Sequence, residues 1–315
     1  MLIAGPNLTV DRTIRLDELR PGEVLRAREA DSGPGGKGVN VARTAEALGC
    51  PAKLVAFLPR GWSGEAVGAW LADAGVALHA VPVPGEVRSA AIMLEASGRT
   101  TVLNEPGPPA DEEAWRAYVG SVQARLAGRR VLVCSGSTPP ASPADAYARL
   151  VRLAAAAGAI AIVDATGPTL GEAIAAGAHV VTPNLAEAEE LILGSGDHGV
   201  HSAGVGLERR ARGCARELLA RGAGAALVTA GSAGLALAAG GEERWLPAPQ
   251  AEVRNPIGAG DALVAGLACA LEHGEPLPAA VLAGMAAAAA SVEQELPGRI
   301  DAVRARAYRA TLGPP

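Results

Sequence analysis

The chain has 315 residues, 49% of them hydrophobic, and a formal charge of −5. That supplies the core of one large α/β domain or two ordinary ones. Aromatics are only 3% and the balance is acidic, which excludes general nucleic-acid binding, a task that calls for stacking platforms and a cationic surface. Cys50, Cys134, Cys214 and Cys269 are scattered and show no C-x-x-C spacing, so a zinc or thioredoxin-like site is unsupported and a reduced, cytoplasmic setting is expected.

In chain order, short β-branched runs alternate with longer Ala/Leu-rich runs. Strands are predicted at Leu2–Ala4, Leu54–Leu58, Val131–Cys134, Ile160–Asp164, Val180–Thr182 and Ala226–Thr229. Helices are predicted near Gly38–Leu48, Gly64–Ala74, Glu112–Leu126, Pro143–Ala157, Asn184–Leu193 and Leu207–Arg221, the fourth capped by Ser142. Apolar strands separated by helices imply a mainly parallel sheet covered on both faces. Residues 11–31 and 86–104 break the rhythm, and Val87–Glu95 and Thr100–Leu103 around Ser97-Gly98 predict a hairpin. Residues 194–206 are the most loop-like; His198 and His201 there could be metal ligands, but no second pair of ligands lies nearby. The opening Met1-Leu-Ile-Ala-Gly-Pro6 run is too short for a signal peptide, and Ala279–Ser291 is too short to span a membrane and predicts a buried helix. No repeat and no linker divides residues 1–315, so a single α/β domain is expected.

Two glycine clusters carry the chemistry. Asn255-Pro-Ile-Gly258-Ala259-Gly260-Asp261 leads straight into an apolar helical run, placing Asp261 in a first helical turn where free amides and the helix dipole favour an anion. A carboxylate beside such amides could take a proton while they stabilise phosphoryl charge; the plainer alternative is a helix cap. The second cluster, Gly33-Pro-Gly35-Gly36-Lys37-Gly38-Val-Asn40-Val-Ala-Arg43, also leads into a helix, with Lys37 and Asn40 polar at its mouth. It satisfies G-x-G-x-x-G, but polar Arg28-Glu-Ala-Asp-Ser32 stands where that fingerprint needs a strand, and no carboxylate lies about 20 residues on, near Leu58 and Pro59, so a nicotinamide site is unsupported. A P-loop fails too: Asp31 stands at the first glycine and Gly38 at the Ser/Thr.

Together the segments resemble the paired signatures of the PfkB, or ribokinase-like, carbohydrate kinases. Gly35-Gly36-Lys37-Gly38-Val39-Asn40-Val41-Ala42 is similar to the first and Gly258-Ala-Gly-Asp261 to the second. Asn7-Leu-Thr-Val-Asp11-Arg-Thr, Gly22-Glu-Val-Leu-Arg26, Asn104-Glu-Pro-Gly-Pro108, Ser135-Gly-Ser-Thr-Pro-Pro140 and Asn184-Leu-Ala-Glu187 follow in the expected order. They lean towards the 1-phosphofructokinase and tagatose-6-phosphate kinase branch.

The resemblance implies a three-layer α/β/α fold with a mainly parallel central sheet, residues 11–31 and 86–104 forming a small β-sheet lid. It implies ATP-dependent phosphorylation of a ketohexose phosphate (fructose 1-phosphate, tagatose 6-phosphate or fructose 6-phosphate) at a primary hydroxyl, with Mg²⁺. Asp261 would be the base and Gly258, Ala259 and Gly260 the anion hole. Asp11, Gly35, Gly36, Lys37, Asn40 and Ser137 would contact the sugar, and Arg88 its phosphate. Asn184 and Glu187 would organise nucleotide and Mg²⁺, Glu187 indirectly, and Thr229, Gly231 and Gly234 would shape the nucleotide pocket. A homodimer through the lid is the assembly the resemblance allows. The chain departs from the pattern in Asn255-Pro256-Ile257, which lacks the usual hydroxyls, and in Thr182, where Lys is common. The alternatives are a kinase of an unphosphorylated sugar or nucleoside, which would not need Arg88, and a non-catalytic sugar- or nucleotide-binding regulator.

Overall fold

The computed structural model describes residues 1–194 and 206–313, so His198 and His201 lie outside the described residues. Thirteen strands and ten α-helices alternate through the described residues. The first strands are β1 (Leu2–Asn7), β2 (Thr9–Leu16), β3 (Glu29–Gly35), β4 (Lys53–Pro59) and β5 (Ala77–Val83). Then come β6 (Arg88–Glu95), β7 (Thr100–Asn104), β8 (Val131–Ser135), β9 (Ile160–Asp164) and β10 (Val180–Val181). The last are β11 (Ala225–Thr229), β12 (Gly234–Ala239) and β13 (Glu242–Pro247).

Nine strands form one sheet in the order β13-β12-β11-β10-β9-β8-β1-β4-β5. It is parallel from β11 to β5, with β12 and β13 added antiparallel at one edge. Its inner strands are buried on both faces, and alternate residues feed opposite cores: Leu2 and Ala4 on one side, Met1 and Ile3 on the other. The first core is covered by α3 (Glu112–Leu126), α4 (Ala146–Ala156), α5 (Gly167–Ala175), α6 (Leu185–Leu193) and α7 (Leu207–Ala220), and holds Phe57 and Trp115 edge to face at 5.4 Å. The second is covered by α1 (Lys37–Ala47), α2 (Trp62–Asp73), α8 (Ala259–Glu272) and α9 (Leu277–Val292); α10 (Ala302–Thr311) packs on α9. The result is a three-layer α/β/α body.

A separate four-stranded sheet runs β3-β2-β6-β7. It is built from the two stretches without helical rhythm, begins at Thr9 rather than residue 11, and includes the hairpin predicted around Ser97-Gly98. The helix predicted from Pro143 starts instead at Ala146 with Asp145 at its N-cap position. Ser142 does not cap it: its hydroxyl donates to the Pro139 carbonyl and accepts the Trp115 indole N–H at 2.7 Å. All four cysteines are buried and none is in a disulfide. No described helix is long and apolar enough to cross a membrane.

Candidate active site

The polar residues singled out above gather where the parallel strands end, the place where an open α/β sheet holds its ligands. β1 ends at Asn7, β8 at Ser135, β9 at Asp164 and β11 at Thr229, and Asn184 bridges to Thr229 alongside. Into this line point the N-termini of α1 and α8.

Asp261 lies in the first turn of α8, which is opened by Gly258 in a left-handed conformation (φ 85°). It makes no helix cap; its Oδ2 instead accepts the Asn40 side-chain amide at 2.8 Å, across 221 residues of sequence. The carboxyl is buried, and that burial pushes its pKa up to about 7. The Lys37 charge opposes the rise and the Asp164 charge adds to it. Of the amides beside it, that of Ala259 donates to the Pro256 carbonyl at 3.3 Å, so the turn itself uses one. Those of Gly260 and Asp261 lack an intrahelical partner by their position in the first turn.

Lys37 opens α1 after Gly36, whose φ of 100° suits a residue without a Cβ. Its ammonium donates to Asp164 Oδ1 at 3.2 Å and lies 3.8 Å from Glu187 Oε1. Burial pulls its pKa down, but the Asp164, Glu187 and Asp261 charges outweigh burial and hold it protonated. Ser135 Oγ donates to the other Asp164 oxygen at 3.2 Å. Asn184 and Glu187 form a reciprocal capping box at the head of α6, both bonds 2.9 Å, so the structural role of this pair is realised while Glu187 also faces Lys37. Burial raises the Glu187 pKa and Lys37 counters it.

On the lid side, Asp11 lies on β2 against Gly35, where any Cβ would overlap its carboxylate. Burial raises its pKa to about 6, with Arg88 and then Arg43 pulling the other way. Arg88 donates from Nη1 to the Glu105 carbonyl (3.2 Å) and from Nη2 to the Asn7 carbonyl (3.3 Å). Gly107 permits this: a Cβ there would lie 2.7 Å from Asn7 Oδ1 and 3.1 Å from the Arg88 stem. Ser137 Oγ accepts the Asn7 side-chain amide at 3.1 Å. Thr229, Gly231 and Gly234 sit together at the β11–β12 turn, where the Ala230 amide donates to the Gly234 carbonyl.

Asp164 was not singled out from sequence. Its signal was available: a carboxylate on the last residue of a predicted parallel strand. Among the described residues no three His, Cys, Asp or Glu side chains cluster as a metal cage. Mg²⁺ in phosphotransferases needs only one or two carboxylates, completed by water and phosphates, and Asp164 and Glu187 fit that demand.

Residues 7–301 match the pfkB family carbohydrate kinase. A 1-phosphofructokinase of Xanthomonas campestris pv. campestris is 32% identical over 271 residues, spanning 84% of this chain and 82% of that protein. An ATP-dependent 6-phosphofructokinase isozyme 2 of Mycobacterium tuberculosis is 30% identical over 288 residues, 90% of this chain and 81% of its own. Phosphofructokinase-2 from Escherichia coli in complex with fructose-6-phosphate is structurally similar with a TM-score of 0.86 at 25% identity, covering 99% of this chain and 98% of that one.

Proposed function

The chain belongs to the pfkB family of carbohydrate kinases, and we propose that it transfers the γ-phosphoryl group of ATP to a primary hydroxyl of a ketohexose phosphate, fructose 1-phosphate or fructose 6-phosphate above all. Its fold is ribokinase-like, and it is an ATP-dependent sugar kinase of the phosphofructokinase type. The observation that carries the finer reading is the buried Asn40–Asp261 bond at the head of α8, beside the Lys37–Asp164–Glu187 cluster. Asp261 takes the proton of the attacking hydroxyl, and Asn40 holds the carboxylate in place. The Gly258–Gly260 turn and the free amides after it face the phosphoryl group in flight, so its charge develops against fixed donors. Asp11 accepts sugar hydroxyls, with Gly35, Gly36 and Ser137 at its side.

Asn184, Glu187 and Asp164 would hold Mg²⁺, and Thr229, Gly231 and Gly234 would wall the nucleotide. The chemistry such a metal would supply is neutralisation of charge on the β- and γ-phosphates. Arg88 contacts the phosphate that the substrate already carries, with the guanidinium N–H groups not given to Asn7 and Glu105.

That division of labour also favours a second reading. Two Arg88 nitrogens are bonded to backbone carbonyls, so Arg88 serves lid structure even if the substrate is an unphosphorylated sugar. ADP release measured across free sugars and hexose phosphates, with Mg²⁺ present and chelated, separates the two. Preference for a hexose phosphate, lost on chelation, is expected; preference for a free sugar would give the role to the second reading.

A further inference from the structure

One residue past the end of β8, the Gly136 peptide meets both halves of the site. Its amide donates to the Asp164 carbonyl at 2.9 Å, and a Cβ on it would stand 3.5 Å from the Lys37 Cβ, so it lies against the stem of that lysine. Before it in the chain, Ser135 donates to the Asp164 carboxylate. After it, Ser137 accepts from Asn7, whose backbone carbonyl in turn holds Arg88. The cluster around Lys37 and the sugar side therefore share one peptide unit, and its φ of 97° is a conformation that favours glycine. The orientation of that peptide sets how both halves are presented.

The Gly136 carbonyl lies beyond the sheet ladder and, among the described residues, has one hydrogen bond: it accepts the Tyr147 hydroxyl of α4 at 2.9 Å. Tyr147 is fully buried, its ring edge-on to Trp115 with centroids 6.5 Å apart, and burial keeps the phenol protonated and able to donate. A buried tyrosine hydroxyl needs a partner for stability alone, and Tyr118 in the same aromatic cluster is such a case. Its hydroxyl donates at 2.7 Å to the Val55 carbonyl, in the middle of β4 and away from the site. The loop above Tyr147 is different, because its shape has to be imposed. Ala141 is the only non-glycine residue at positive φ (62°) among the described residues, a conformation that persists where surrounding bonds over-determine it. At that end the Ala110 amide donates to the Pro140 carbonyl at 2.9 Å and Ser142 to that of Pro139. Tyr147 is the corresponding tie at the end that faces the site.

We propose that Tyr147 is a positioning residue of this kinase: its hydroxyl, through the Gly136 carbonyl, holds Ser137 at the sugar and Asp164 beside Lys37 in one fixed relation. The inference rests on the placing of Ser137 at the sugar made above, and it holds whether or not that sugar carries a phosphate. Tyr147 lies beneath the loop and acts only through it.

The test compares wild type, Tyr147→Phe, Ser137→Ala, these two combined, and Tyr118→Phe, in kcat and KM for the preferred sugar substrate and in melting temperature. Both Phe variants keep the ring in the aromatic cluster and lose one buried hydroxyl, so both should fold and lose similar thermal stability. Only Tyr147→Phe should change the kinetics, raising the sugar KM and lowering kcat by ~5-fold each, the scale of one hydrogen bond or a small misplacement of reacting groups. In the Ser137→Ala background, Tyr147→Phe should raise the sugar KM less than it does in wild type, since residues that act through one another are not additive. Kinetics of Tyr147→Phe that match those of Tyr118→Phe, or KM effects that add fully in the combined variant, would overturn the inference and leave the sugar-phosphate reading intact. A wild-type enzyme that uses only unphosphorylated sugars would overturn that reading instead, and the same comparison on such a sugar decides the role of Tyr147.

Discussion

The carboxylate proposed as base sits in surroundings that set when it can act. Burial lifts the Asp261 pKa to about 7, and Lys37 restrains the rise. A base works deprotonated, so kcat/KM should climb with pH through about 7 and level off above it. Lys37→Met removes the restraining charge, so the Asp261 pKa should rise and the acid limb move to higher pH, with lower activity at neutral pH. A limb that stays in place, or moves to lower pH, would show that Asp261 is not the titrating group. Arg88 calls for a comparison across substrates, because Arg88→Ala also frees the Asn7 and Glu105 carbonyls. On a hexose phosphate it should cost ~2–3 kcal/mol in kcat/KM, the range for an interaction with a charged group, and markedly less on a free sugar. Equal losses would confine Arg88 to holding the lid.

At the scale of elements, the base is only as well placed as α8, and α8 is placed by α9. The two helices touch through glycines: a Cβ on Gly266 would lie 2.7 Å from the Ala283 carbonyl oxygen, and one on Gly284 would lie 2.6 Å from that of Leu263. Gly266→Ala should therefore destabilise the fold by ~1–3 kcal/mol through overpacking, and lower kcat more than it alters the KM for ATP. Denaturant unfolding and kinetics on the same variant check this; unchanged stability would mean that the helices separate freely. The elements legible in sequence were those whose own composition decided them. The helix Glu112–Leu126 follows Asp111, whose side chain accepts from the Glu113 and Ala114 amides, and its ends were read as observed. β12 was not read, because Gly234-Leu-Ala-Leu-Ala-Ala carries no β-branched residue and becomes a strand only by pairing with β11 and β13. β5 was missed for a related reason: it is an edge strand that accommodates Pro82. In the site, the glycine turns, Asn40 and Asp261 were legible because they sit in compact motifs. Asp164 was not, since its meaning comes from the end of β9 meeting the heads of α1 and α6 in space.

For the whole molecule, the site is a place where stability has been given up for function. Asp261 and Asp11 hold protons more tightly in the folded protein than in the unfolded chain, with pKa values raised to about 7 and about 6. Their contribution to stability is full below the ordinary carboxylate pKa of about 4 and is lost as pH rises through those raised values. Asp261→Asn removes one such titration. The unliganded variant should therefore gain stability relative to wild type as pH goes from about 5 to about 8, by at most ~1.4 kcal/mol per pH unit. Melting curves of the pair across that range check it; a difference that is flat or shrinks with pH would contradict the buried-carboxylate picture.

The most direct measurement is ADP release on the preferred hexose phosphate by wild type and by Asp261→Asn, with nucleotide binding followed in parallel. The substitution keeps the shape of the side chain and removes its ability to take a proton. Turnover should fall by at least ~10², with ATP affinity close to wild type and the folded spectrum retained. Near-wild-type ADP release from the variant would remove Asp261 from the role of base, and with it the central claim.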